Sequence, residues 1–402
     1  MNDHPVLGQV ALGYSPMTDR QRTVIATRLT VFPERPEATP DAAALLAAIH
    51  EVWPAGEGTR PALSLNMAGE ALLKATLAAK PGAEAMLEVP AFMAGDPSNA
   101  AALQAARAAG ATLVIKGRPL VPLPTELLPL FTHCIVELED DRRAGAPAPA
   151  GVERTVTTIQ DGLRTNSDFD LAFKRGAAAV LGWAWDDPPP KPTGRSGVPS
   201  DLTAVMDLIN GVDREEPVAK LEAVLRRDPT LAFRLMRYLN SPAFGLTVEI
   251  NSFGHALMLL GYQRLKRWLA LLLASSAKGA NARPVMYAAI RRGLLMEELA
   301  RAQQGDAEMR SEMFICGVFS LLDRLLQQPM KELLPNVPVP ERVQQALRGD
   351  GGPYLPFLQL VHAIEEGLAF DIREQCETLL LEPAAVNRAI LLTLRSARQL
   401  DG

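Results

Sequence analysis

The sequence predicts a two-domain protein, in which an α/β barrel of the (β/α)8 type precedes an all-helical bundle. Three observations lead to this class: the length of 402 residues, a proline-rich break near residue 190, and a change of hydrophobic periodicity across it. A chain of this length exceeds what one hydrophobic core commonly holds. We therefore expect a barrel over 1–187, a linker over 188–200 and a helical domain over 201–402.

The first half alternates short apolar runs with alanine-rich helical runs. The candidate strands are residues 9–14, 23–32, 62–66, 85–90, 112–116, 133–138, 155–159 and 179–185. Candidate helices between them include residues 41–52, 69–79, 99–108 and 168–176. Apolar runs of this length separated by helices are typical of βα units and a parallel sheet. Eight such runs predict a closed barrel.

The break itself reads DDPPPKPTGRSGVPSDL over 186–202, with five prolines and two glycines. Proline lacks the backbone donor that helices and sheets need, so this stretch predicts an extended spacer. Beyond it, Asp228 and Pro229 suit the N-cap and first position of a helix. Helical spacing of apolar residues then continues to Arg398, which predicts a helical bundle.

Composition excludes several classes of protein. The net charge of −5 gives no general attraction to nucleic acid or anionic lipid, so we expect neither as a partner. The cysteines Cys134, Cys316 and Cys376 form no CxxC pair and are interpreted as reduced, buried thiols. The N-terminus lacks the features of a signal peptide, and the apolar stretch 268–277 is too short to cross a bilayer. These features predict a cytoplasmic protein.

The helical half carries a more specific pattern. The run DPTLAFRLMRYLNSPAFGL at 228–246, followed by LLGYQRLKRWL at 259–269, closely resembles the signature of HDOD domains. FICGVFSLLDRLL at 314–326 is similar to a later helix of HDOD proteins that carry an EAL-type partner domain. The signature residues, which we expect to be structural, are Asp228, Pro229, Asn240, Ser241, Phe244, Gly245 and Gly261.

Together with a preceding barrel, this pattern resembles the EAL–HDOD signalling family of bacteria. SLNM at 64–67 and LEVP at 87–90 correspond to strands on which the family bears an Asn and a Glu, here Asn66 and Glu88. The resemblance implies a barrel related to cyclic di-GMP phosphodiesterases, which hold two divalent metals with these residues and further carboxylates.

Most of that apparatus is missing from the sequence. Thr27 falls near the place of the first Glu, and Lys116 and Arg118 stand where an Asp-Asp pair is expected. The strand FTHCIVELEDD contains no lysine, TVTTIQ carries no Glu, and the late Gln-Gly is Leu-Gly. Two cations in place of anionic ligands would repel a metal. We therefore interpret Asn66 as a cap of the following helix and Glu88 as a rim residue.

The sequence of the helical half predicts no metal site. HDOD domains resemble the HD phosphohydrolases, which bind metal through a His-Asp dipeptide and further ligands. This chain has no His-Asp dipeptide, and its helical half contains only His255 and His362. Each lies in an apolar helical pattern, where a core or capping role is the simpler interpretation.

These observations predict a protein that is not an enzyme and needs no cofactor. The leading hypothesis is a signalling scaffold that binds other signalling proteins, with a homodimer as a further candidate assembly. The alternative is a receptor whose barrel binds cyclic di-GMP without hydrolysing it, through Lys116 and Arg118 beside Asn66 and Glu88. An active phosphodiesterase with a rearranged ligand set is the third hypothesis.

Overall fold

The structure is a computed structural model of the chain. It describes residues 4–35, 38–53, 62–82, 85–119, 123–141, 156–187, 203–227, 252–275, 282–337 and 339–400. These residues form two compact units, the first comprising Met1–Pro188 with His362–Leu391 and the second Pro189–Val361 with Leu392–Gly402. We call the first the barrel unit and the second the helical unit.

Eight strands of the barrel unit close into a barrel in sequence order. They are β1 (Val10–Asp19), β2 (Val24–Pro33), β3 (Ala62–Met67), β4 (Ala85–Pro90), β5 (Thr112–Lys116), β6 (Phe131–Glu137), β7 (Thr157–Asp161) and β8 (Ala179–Leu181). All eight predicted strands are present, and the bounds of β4 and β5 agree with the prediction. The predicted fold class is confirmed.

The barrel departs from an all-parallel sheet at β1, which runs antiparallel to both β2 and β8. The cause is the short connection between β1 and β2, since a parallel crossover needs a dozen or more residues. Asp19 closes the connection as a hairpin by accepting backbone bonds from Arg22 and Thr23, the latter on its side chain. Arg22 takes a left-handed φ of 60° in this turn.

Helices cover the barrel between strands. They are α1 (Ala42–Val52), α2 (Glu70–Ala78), α3 (Ala91–Ala94), α4 (Ala100–Ala108) and α5 (Asn166–Lys174). Local capping explains where two of them begin. The Asp41 carboxylate accepts from the first backbone amides of α1, and Thr165 with Asp168 forms a capping box at α5.

The remaining helices follow residue 202. They are α6 (Thr203–Asp213), α7 (Val218–Arg227), α8 (Phe253–Ser275), α9 (Ala282–Ala302), α10 (Ala307–Phe319), α11 (Leu322–Leu326), α12 (Met330–Leu333), α13 (Glu341–Arg348), α14 (Leu355–Glu366), α15 (Ala369–Thr378) and α16 (Pro383–Leu400). This confirms the predicted helical bundle. Among the described residues, none of the helices has the length and apolar character that crossing a bilayer requires.

Two glycines let α9 and α10 approach each other closely in the helical unit. A Cβ added to Gly317 would lie 2.5 Å from the carbonyl carbon and oxygen of Arg292. A Cβ on Gly293 would lie 2.6 Å from Val318 Cγ2 and 3.0 Å from the carbonyl oxygen of Phe314. The two helices therefore touch through their backbones, which no larger residue would permit.

The HDOD signature is described only at its end. Asp228, Pro229, Asn240, Ser241, Phe244 and Gly245 lie outside the described residues, as does the linker over 188–200. Gly261 interrupts α8 with a φ of 74° and a ψ of 167°, a conformation that favours glycine. The Leu-Gly step of the sequence pattern therefore corresponds to a break between two helical segments.

The barrel unit includes a C-terminal segment, residues 362–391, that the sequence assigns to the helical domain over 201–402. The buried Asn387 side chain accepts from the backbone amide of Leu12 at 3.0 Å. It also donates to the carbonyl oxygens of Leu7 at 2.8 Å and Val10 at 2.6 Å. Helical periodicity identifies these residues as helix but cannot tell which surface they cover, which is why the predicted boundary differs.

Replacing Asn387 with leucine is expected to lower the unfolding free energy of the barrel unit by about 2–4 kcal/mol. The substitution leaves one backbone amide and two carbonyl groups without this partner in a buried place. Thermal unfolding followed by circular dichroism measures the loss. Gln345→Leu, on a surface helix, is the matched control, and an Asn387 variant that melts with the control would contradict the assigned role.

Candidate functional site

The C-terminal ends of the barrel strands open into a cavity of about 560 Å³, which we call the barrel-mouth cavity. Its charged lining residues are Arg28, Glu70, Lys116, Glu137, Asp140, Asp161, Glu365 and Glu366. Its aromatic lining residues are Tyr14, Phe32 and Phe92. All of them belong to the barrel unit. Barrels of this class place their functional sites at this end.

The polar groups of the mouth follow the core residues of the barrel by two positions. Ala26, Val114, Ile135 and Ile159 belong to one buried cluster inside the barrel. Two residues later come Arg28, Lys116, Glu137 and Asp161 respectively. Residues two positions apart point to the same face of a strand. The buried apolar residues and the polar residues of the mouth therefore both point into the barrel, at successive levels.

An ion triad occupies the interior beneath the mouth, and we call Arg28, Glu88 and Asp161 the Arg28 triad. Arg28 binds the Glu88 carboxylate in a bidentate manner, with Nε to Oε1 at 2.9 Å and Nη2 to Oε2 at 2.6 Å. Its Nη1 donates to Asp161 Oδ2 at 2.9 Å. The Ser64 hydroxyl donates to Glu88 Oε1 at 3.0 Å, so both Glu88 oxygens are satisfied.

Two members of the triad are buried, whereas the Asp161 side chain is 21% exposed. Glu88 is 1% exposed, and Arg28 is also buried. Burial lowers the pKa of Arg28, but the negative charges of Glu88 and Asp161 outweigh that effect and raise it above its ordinary value. The guanidinium is therefore a permanent cation inside the barrel.

Lys116 supplies a second cation at the end of β5. Its Nζ donates to Asn66 Oδ1 at 3.2 Å, and Asn66 Nδ2 in turn donates to Thr30 Oγ1 at 3.2 Å. Burial, followed by repulsion from Arg28, lowers the pKa of Lys116 below its ordinary value. The nearby carboxylates act in the opposite direction but do not reverse the shift. Two cations of the chain thus lie side by side in the barrel.

The structure brings three of the four predicted site residues together. Asn66 and Lys116 line the cavity, and Glu88 lies beneath it. The interpretation of Asn66 as a helix cap is wrong, because Gly69 occupies the N-cap of α2 without any side-chain cap. Glu88 is likewise not a rim residue, since its side chain is fully buried on Arg28. Arg118 is exposed and does not line the cavity.

Sequence reasoning missed the residues that dominate the site. Arg28, next to the singled-out Thr27, is the residue of β2 that reaches Glu88. Asp161 directly follows the TVTTIQ run in which a Glu was sought. Two signals were available: a charged residue within an otherwise apolar strand, and a carboxylate two positions after a core isoleucine. Both indicate side chains directed into the barrel.

Two divalent metals, which the family resemblance implies, do not fit this set of residues. Glu88 and Asp161 already neutralise Arg28, and Lys116 adds a second positive charge beside them. Among the described residues, no group of three or more His, Cys, Asp or Glu side chains is arranged to hold a metal ion. The positive charges of Arg28 and Lys116 beside these carboxylates oppose the binding of divalent metals.

Comparison with protein families finds a match within the second half of the chain. A family model described as HDOD domain matches residues 198–337. The uncharacterized protein YuxH of Bacillus subtilis is 28% identical over 216 residues, which cover 53% of this chain and 52% of that protein. The cyclic di-GMP phosphodiesterase CdgJ of Vibrio cholerae is 23% identical over 244 residues, covering 60% and 56%. The chain spans about half the length of these curated relatives.

Solved structures of EAL domains are similar over the other half. The EAL domain of Mycobacterium smegmatis DcpA is 16% identical, with 44% of this chain and 92% of that chain covered and a TM-score of 0.32. The FimX EAL domain from Pseudomonas aeruginosa bound to c-di-GMP is 11% identical, covering 45% and 90%, with a TM-score of 0.29. On the family match, this chain carries an HDOD domain over residues 198–337, after a closed eight-stranded barrel.

Proposed function

We propose that this protein is a non-catalytic adaptor in cyclic di-GMP-related signalling, acting through protein–protein contacts. The observation that carries the proposal is the Arg28 triad, in which the buried Glu88 and the partly exposed Asp161 hold a guanidinium. The HDOD match and the similarity to a protein named a cyclic di-GMP phosphodiesterase support the signalling context.

Hydrolysis of a phosphodiester in such a barrel needs bound cations that activate water and neutralise the developing charge. A guanidinium neutralises charge, but it has no open coordination position and cannot lower the pKa of a bound water as a metal does. Arg28 can therefore stabilise negative charge as a metal ion does, but it cannot activate a water molecule. On this proposal, an attacking water has no metal ion to activate it among the described residues.

The receptor alternative has less support from the geometry. Of its two proposed phosphate ligands, Lys116 is bonded to Asn66 and Arg118 lies away from the cavity lining. The lining also contains six carboxylates against two cations. A ligand with two phosphate charges meets net repulsion in such a cavity unless metal ions accompany it.

A calorimetric titration of the full-length protein with cyclic di-GMP in excess Mn²⁺ tests the proposal. We expect a trace at the level of ligand dilution, because the described residues form no metal site for turnover and the acidic lining repels the phosphates. Sustained heat after each injection would mean hydrolysis and would overturn the adaptor proposal. Heat that saturates would identify a receptor, and loss of that binding in Lys116→Ala/Arg118→Ala would locate it at these cations.

A further inference from the structure

The barrel-mouth cavity has its charges in two layers. The inner layer contains the cations, because the Arg28 guanidinium is held in the Arg28 triad and Lys116 is half-buried on Asn66. The outer layer is acidic, since the side chains of Glu70, Glu137 and Asp140 are exposed. A ligand that approaches from solvent meets the carboxylates first.

The acidic excess remains when neighbouring ion pairs are counted. Lys74 pairs with Glu70, and Arg164 pairs with Glu366. Carboxylates still outnumber cations, and no salt bridge of Glu137 or Asp140 occurs among the described residues, although Glu137 lies near enough to Lys116 to raise its pKa. Field lines concentrate in a concave site with low-dielectric walls, so this excess attracts cations over a distance of about one Debye length, roughly 8–10 Å.

Aromatic rings complete the recognition surface. Phe32 and Phe92 line the same cavity, and Phe92 is 67% exposed. A ring face attracts a cation and also packs against the alkyl stem that bears it. The volume of about 560 Å³ falls within the range of about 300–1,000 Å³ for ligand sites.

We propose that the barrel-mouth cavity binds an arginine or lysine side chain of a partner protein, together with an adjacent apolar residue. The carboxylates of Glu137 and Asp140 would pair with the cationic group, and Phe92 would cover its stem. This inference rests on the proposed adaptor function, because it names the chemistry of the partner that the barrel captures. It assigns the cavity to a cation instead of a cyclic dinucleotide.

Calorimetry with the full-length protein and a capped octapeptide of alternating arginine and leucine tests the inference. The matched probe replaces every arginine with citrulline, which keeps the shape and removes the charge. We expect the arginine peptide to bind and the citrulline peptide to give only dilution heat. Glu137→Gln/Asp140→Asn should weaken binding about tenfold, and Phe92→Ala about threefold.

Glu341→Gln/Asp350→Asn, which removes the same charge from exposed positions of the helical unit, is the control and should bind as the unsubstituted protein does. Equal loss in both double variants would mean nonspecific attraction and would overturn the inference. Equal or tighter binding of free spermidine would overturn the assignment to a peptide side chain. Hydrolysis of cyclic di-GMP is a separate measurement and would overturn the proposed function without deciding whether the peptide binds.

Discussion

Arg28→Met is expected to lower the unfolding free energy of the barrel unit by about 3–5 kcal/mol, because it leaves the buried Glu88 carboxylate without its cation. Glu88 is 1% exposed and its remaining described donor is the Ser64 hydroxyl. Thermal unfolding monitored by tryptophan fluorescence measures the loss. Trp183 and Trp185, which stack 5.0 Å apart in the barrel unit, report on this part of the chain.

A second substitution separates lost charge pairing from lost packing. Arg28→Met/Glu88→Gln removes the orphaned charge but keeps both side chains close to their original volumes. We expect the double variant to recover at least half of the stability that Arg28→Met loses, since buried ion pairs replaced by neutral groups are often close to neutral in effect. An Arg28→Met protein that melts within 1 °C of the original would contradict the role given to the triad.

Gly317→Val is expected to destabilise the helical unit by more than about 3 kcal/mol. A Cβ at this position would meet the backbone of Arg292 at 2.5 Å, and backbone atoms of a packed helix cannot move aside as a flexible side chain can. The two helices would have to separate along their whole contact. Loss of helical circular dichroism at a lower temperature measures the effect.

The control for this variant is Gly349→Val, since a Cβ there meets nothing within 4 Å. Gly349 has a φ of 75°, so the control carries backbone strain without steric overlap. We expect Gly349→Val to lower the unfolding free energy by only about 1–2 kcal/mol, which is the usual cost of a left-handed backbone at a residue with a side chain. Equal losses at both positions would contradict the close helix contact.

The strands of the barrel were predictable because they are short apolar runs separated by helical runs. The apolar runs at Ala85–Pro90 and Thr112–Lys116 have the length and composition of buried parallel strands, and the structure has them with these bounds. The direction of β1 was not predictable by this means. Periodicity is the same in parallel and antiparallel strands, and only the short hairpin after Asp19 decides the direction.

The candidate site was half predictable. Asn66, Glu88 and Lys116 were selected because of the family resemblance, and two of them line the cavity. Arg28 was missed because the sequence analysis selected its neighbour Thr27. Adjacent residues of a strand face opposite sides, so an error of one position selects a side chain on the wrong face. Its partners lie 60 and 133 residues away along the chain, so no local pattern reveals the ion triad.

The contacts of Asn387 determine when the barrel unit can complete its folding during synthesis. Leu12 and Asn387 are 375 residues apart, so the strand that begins the barrel is synthesised long before the side chain that bonds its backbone. During translation, the backbone groups that Asn387 bonds remain without this partner until most of the helical unit has been synthesised. Cutting the gene at the proline-rich break would yield an N-terminal fragment that lacks its own last elements. In such a fragment the backbone groups of Leu7, Val10 and Leu12 would lack the Asn387 side chain that bonds them in the whole chain.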